Sequence, residues 1–147
     1  PWQLLKKNWK AVMFGILAGT LTSGVTVFML AKLMSLSHTE YVTLLPKSIT
    51  TAIGMGLSEE LGGYVTITVA VIVVTGVVGN MFGELVCKLF RITHPIAKGL
   101  AFGSSSHAIG TAKAMELGEI EGAMSSLAIA VTGILTVAFS PLFMKFI

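Results

Sequence analysis

The residues best equipped for chemistry fall in two short stretches, Gly103-Ser104-Ser105-Ser106-His107 and Pro46-Lys47-Ser48-Ile49-Thr50-Thr51. Serines just before a helical run act as N-caps, and the first-turn N–H groups beyond them point outward. Helix dipole and hydroxyl donors aimed at one spot make an anion site. The same serines equally suit a buried helix packed closely on its neighbours. In the other stretch, Pro46 suits a helix opening, where no N–H is needed, and Ser48, Thr50 and Thr51 add hydroxyls. Lys47 is its only cation; it suits either a carboxylate partner or a snorkelling role toward the headgroups.

Magnitudes favour a shared site over a single helix end. A carboxylate loses many kcal/mol of hydration on leaving water, whereas one helix terminus returns about 0.3–1 kcal/mol, up to about 2 when buried. Each charge-assisted hydrogen bond adds about 1.5–3 kcal/mol. A small anion therefore needs several donors at once, as two Ser/Thr-rich tips meeting near the middle of a membrane would supply. His107 there is either a proton-linked group or a neutral, hydrogen-bonded core residue.

Other chemistries fail on inventory. The chain has no Asp, no Gly-x-Ser-x-Gly elbow and no phosphate-binding or dinucleotide loop, so no catalytic residues and no enzyme activity are expected. The single cysteine, Cys87, and three histidines without ligand spacing argue against a metal, and no cofactor is expected. The net charge of +3 comes without aromatic interleaving of the basic residues, against a nucleic-acid partner.

The elements that must hold these stretches are membrane helices. Over 147 residues the chain is 54% hydrophobic and 12% charged, about half the charge of a soluble domain. Its mean hydropathy is +0.86. Uncharged runs at Ala11–Ala31, Leu61–Gly83 and Gly122–Met144 each give roughly 32–35 Å of helix, enough to cross the hydrocarbon core. Trp2, Trp9, Lys6, Lys7 and Lys10 before the first run suit an interfacial anchor. Between the runs, Thr43–Ser58 and Gly99–Lys113 are short and rich in Ser, Thr and Gly; they read as broken or re-entrant helices, tolerated where protein or a wet cavity surrounds the backbone.

Ala52-Ile53-Gly54 recurs 56 positions later as Ala108-Ile109-Gly110, Gly62 recurs as Gly118, and Thr75-Gly76 recurs as Thr132-Gly133 with one residue of slippage. The expected fold is an all-α polytopic membrane protein forming a single membrane domain over 1–147. It comprises three long transmembrane helices plus two broken segments, in repeat units of about 43–88 and 99–147. Paired interrupted segments of this kind point to a transporter site. The basic clusters Lys6, Lys7, Lys10 and Lys88, Arg91, Lys98 set on one side invert the second unit relative to the first, with Lys32, Lys47 and Lys145 falling elsewhere. Gly15-x-x-x-Gly19 and Gly79-x-x-x-Gly83 are faces for close helix packing. Because the chain opens with Pro1 rather than Met, it is expected to be a fragment.

The strings Leu45-Pro46-Lys47-Ser48-Ile49-Thr50-Thr51, Gly62-Gly63, Ser106-His107-Ala108-Ile109-Gly110-Thr111-Ala112 and Glu121-Gly122-Ala123 resemble the LrgB/CidB family from about Leu44 to Pro141. Thr111 joins the candidate binding residues on these strings. The family commonly has Pro after the Thr-Thr pair, where Ala52 stands here, so the break is expected to be softer or shifted. The resemblance implies the C-terminal part of an antiholin-like bacterial plasma-membrane protein linked to murein hydrolase control and cell lysis, with a small LrgA/CidA-type partner. It also implies relatives that move small carboxylates such as pyruvate and glycolate. Two functions are therefore expected in competition. One is a monocarboxylate carrier using Lys47, Ser48, Thr50, Thr51, Ser104, Ser105, Ser106, His107 and Thr111. The other is a regulator acting by homo-oligomerisation in the lipid bilayer through the glycine faces.

Overall fold

The computed structural model describes residues 2–146, and all its regular elements are helices. These are α1 (Trp2–Leu33), α2 (His38–Leu44), α3 (Thr51–Glu60), α4 (Val65–Leu89), α5 (Pro95–Leu117) and α6 (Glu119–Met144). Of these, α1, α4 and α6 are long and apolar enough to cross a membrane. They contain the three expected spans, with two corrections at the ends. Leu61–Gly83 starts too early, because Gly62, at φ 82°, makes a turn and the helix begins at Val65. It also stops too early, because Glu84 and Lys88 continue the helix as an i,i+4 ion pair at 3.0 Å. Likewise α1 takes in Lys6, Lys7 and Lys10, where Lys6 lies over the Trp2 ring and Lys10 over that of Trp9. The outer faces carry Phe14, Met29, Met81 and Ile134, all well exposed, as apolar side chains written for lipid are.

Both short segments are broken, and each forms a hairpin. In the first, α2 and α3 are joined by a turn over 45–50. The Thr68 hydroxyl on α4 donates to the Thr43 carbonyl at 2.9 Å and bonds the Ser58 hydroxyl at 2.7 Å, tying the last turns of α2 and α3 to one level. Pro46 and Gly54, nearer the tip, lie together against Ile72, one turn further along α4. Pro46 thus sits in the turn rather than opening a helix, because α3 starts only at Thr51.

The second hairpin is hidden in α5, whose backbone leaves helical geometry at Ser106 (φ −133°, ψ 15°) and His107 (φ 43°, ψ −137°). Going in, Gly99 packs on Glu121 and Met124, and Gly103 on Ser125 and Ala128. Coming back, Thr111 bonds Ser125 at 2.6 Å, Met115 packs on Gly122, and Gly118 on Glu121. Both arms therefore lie beside the same part of α6. Phe102 and Ala114 share a cluster with Cys87, although twelve positions of straight helix would separate them by about 18 Å.

The hairpins approach from opposite ends of α4. The first is anchored at Thr68 near its start; the second reaches Glu84 near its end, where Lys113 lies 3.7 Å away. Their tips converge around Ile72–Gly79, where glycine lets the backbones approach. At Gly76 an added Cβ would sit 2.8 Å from Ile109 Cβ, and at Gly133 one would sit 2.8 Å from Ile53 Cδ1. Each Thr-Gly of a long helix thus receives the isoleucine of the other hairpin's Ala-Ile-Gly.

Candidate functional site: the cavity between the hairpin tips

A groove of about 300 Å³ starts at the tips, where Lys47 of one and Ser105 and Ser106 of the other line it with Thr75 and Gly79 of α4, and runs between α4 and the incoming arm of α5 as far as Val86, Cys87 and Ile92. Lys47 Nζ donates to Ser48 Oγ at 2.8 Å, and Ser23 Oγ of α1 donates to the same hydroxyl at 3.1 Å. The ammonium is thereby held at the first tip. Ser105 Oγ and Ser106 Oγ lie 2.9 Å apart. The cavity thus offers an ammonium and several hydroxyls inside otherwise apolar walls, the composition that binds a small anion with an apolar body.

The sequence reading of these serines as helix N-caps is overturned. Ser104 and Ser105 close the incoming arm, donating to the Leu100 and Ala101 carbonyls at 2.7 Å each, and only Ser106 stands at the break. Back-bonding of this kind satisfies a hydroxyl in a helix. It leaves the oxygen of Ser105 still able to accept.

The other candidates are distributed around the cavity. Ser104 turns to Gly19 of α1. Ser48 lines a small enclosed space with Thr20, Ser23, Thr132 and Thr136. Thr50 and Thr51 begin α3, where Thr50 forms no side-chain cap, and neither lines the cavity. His107 is buried and turned away, its Nε2 2.8 Å from the Ile72 carbonyl. Since a carbonyl only accepts, Nε2 carries the proton in this contact. The Thr111 hydroxyl, bonded to the His107 carbonyl and to Ser125, ties the returning arm to α6.

Asn80 donates across the helices to the Ile109 carbonyl at 2.8 Å. The glycine faces pack within the chain. Gly15 meets Leu100, Gly19 meets Ser104, Gly79 meets Ser106 and Gly83 meets Phe102. Glu121 is buried in the first turn of α6. Sequence reasoning missed Thr75, whose recurrence at Thr132 marked the position without giving it a role. No group of His, Cys, Asp or Glu suited to a metal occurs among the described residues.

A family model described as the LrgB-like family matches residues 1–146. The antiholin-like protein LrgB of Bacillus cereus is 42% identical over 143 residues, covering 97% of this chain, and that of Bacillus anthracis matches to the same extent. The chain spans 62% of the length of these relatives. No solved structure matches.

Proposed function

Given that this chain belongs to the LrgB-like family, we propose that it forms the substrate-holding part of a bacterial plasma-membrane facilitator for small monocarboxylates of the pyruvate or glycolate type. Its flux feeds the control of murein hydrolase activity and cell lysis, and a small LrgA/CidA-type membrane protein is its partner. The observation that carries this reading is the cavity shared by Lys47 and Ser105–Ser106 at the meeting of two hairpins. The lysine supplies the charge that a carboxylate needs after losing its water, and the Ser106 and Thr75 hydroxyls can turn to donate further bonds. The methyl or hydroxymethyl end of the substrate meets the Val78, Phe82 and Phe102 side of the wall. Discontinuous helices converging from opposite faces are the usual framework for alternating access. Units of about 43–88 and 99–147, inverted relative to each other, would exchange the exposed side of the site by rocking about the Gly76–Ile109 and Gly133–Ile53 contacts.

The test is uptake of radiolabelled pyruvate into proteoliposomes holding the full-length protein, with and without the small partner. Saturable uptake that is lost in Lys47→Ala and Ser106→Ala is expected. Leak of unrelated solutes, with no saturable uptake in either preparation, would replace the carrier by a regulator that acts through membrane assembly.

A further inference from the structure

We propose that a second cavity, at the open end of the α5 hairpin, binds the phosphate of an anionic phospholipid. It measures about 360 Å³ and is lined by Lys88, Arg91 and Lys98 together with Glu84, Cys87, Ile92, Thr93 and Leu117. The one acid is already compensated, since Lys88 Nζ lies 3.0 Å and Lys113 Nζ 3.7 Å from Glu84. Among the described residues neither Arg91 nor Lys98 forms a salt bridge. Two cations therefore face the cavity with their charge uncompensated. Arg91 is held in the α4–α5 turn at φ 56°, and Lys98 stands in the first turn and a half of α5.

Position and lining favour a lipid over a free anion. Asn8 and Ala11 of α1 lie level with His94 and Ile96 around a neighbouring groove, so Lys6, Lys7 and Lys10 belong to the same membrane face as Lys88, Arg91, Lys98 and Lys113. Seven of the ten Lys and Arg residues thus gather at one end of the bundle. Anionic lipids concentrate at such a face, and basic pockets between helices hold their headgroups. Cys87, Ile92 and Leu117 give the cavity an apolar wall. A soluble phosphate would gain nothing from that wall.

The experiment is native mass spectrometry of the full-length protein from micelles containing phosphatidylglycerol and phosphatidylcholine. One phosphatidylglycerol adduct is expected to survive conditions that strip phosphatidylcholine. Its affinity should fall about fivefold for each cation removed in Arg91→Gln and Lys98→Gln, and about thirtyfold in the double variant. Lys6→Gln/Lys7→Gln, which removes the same charge from the same face, should retain it. Equal loss in both double variants would reduce the effect to general surface attraction and overturn the site. An arm without substitutions guards against misfolding, in which Lys98 is acetylated in vesicles of phosphatidylcholine with or without phosphatidylglycerol. Protection of Lys98 relative to Lys7 by phosphatidylglycerol supports the site. Equal protection by inorganic phosphate alone would make a free anion the occupant and overturn the lipid assignment.

Discussion

Gly79 carries Ser106 directly on its bare α-carbon, so any side chain at position 79 would overlap the serine hydroxyl. The approach brings the break in α5 against the middle of α4 and gives the cavity its floor. Gly79→Ala must push the tip away, a cost of about 1–3 kcal/mol for overpacking. Pyruvate uptake should be abolished, while the oligomeric state of the folded variant stays that of the wild type. Normal uptake with altered assembly would mean that Gly79 serves a contact between chains instead.

His107 is expected to brace the tip rather than carry protons. Its ring fills the space beside Gly76 and its Nε2–H donates to Ile72. His107→Ala should lose about 2–4 kcal/mol through the cavity and the lost bond. His107→Gln, which keeps a donor and does not titrate, should leave the pH profile of uptake in place. Disappearance of a titration from that profile in His107→Gln would restore the proton-linked role.

Two threonine-to-valine changes should differ in sign. Thr68→Val leaves the Thr43 carbonyl and the Ser58 hydroxyl without their partner, a loss of about 1–3 kcal/mol in thermal or denaturant unfolding. Thr132 Oγ1 is buried and has no hydrogen-bond partner among the described residues. Thr132→Val should therefore be neutral or stabilising by up to about 1 kcal/mol. Equal destabilisation by both would contradict the difference in their surroundings.

Outside the membrane-crossing helices, the first hairpin has an acid-sensitive cap. Glu40 accepts from the Ser37 backbone N–H at 2.7 Å and from its hydroxyl at 2.8 Å, completing a capping box at the start of α2. The backbone bond first, then the hydroxyl bond, holds its carboxyl below the ordinary value of 4.5. A lowered native value means the cap contributes above that pH and is lost as pH falls through the native value. Wild type should exceed Glu40→Gln in Tm at pH 7 and converge with it in acid. A constant difference across that range would show that the charge is not the source.

Much of the architecture was legible along the chain because lipid imposes a simple rule on composition. Long uncharged runs became α1, α4 and α6, and polar short segments could only be breaks, since an exposed backbone must be covered. The glycines at 15, 19, 79 and 83 each receive a side chain of α5, but sequence spacing is blind to whether a small face receives its own chain or another. Span ends were misjudged at Gly83, because a helix continues through charges that pair one turn apart, as Glu84 and Lys88 do.

Residue type alone determined that Lys47 and the serines could serve an anion. The fold decided which of them meet. Ser104, Ser105 and Ser106 are adjacent in sequence, yet a helical turn of about 100° per residue and the break at Ser106 send Ser104 to α1 and the other two to the cavity. Lys47 and Ser106, 59 positions apart, share that cavity because two hairpins enter from opposite ends of α4. Such a meeting depends on glycine contacts between elements, and no local pattern in either segment encodes the partner it will face.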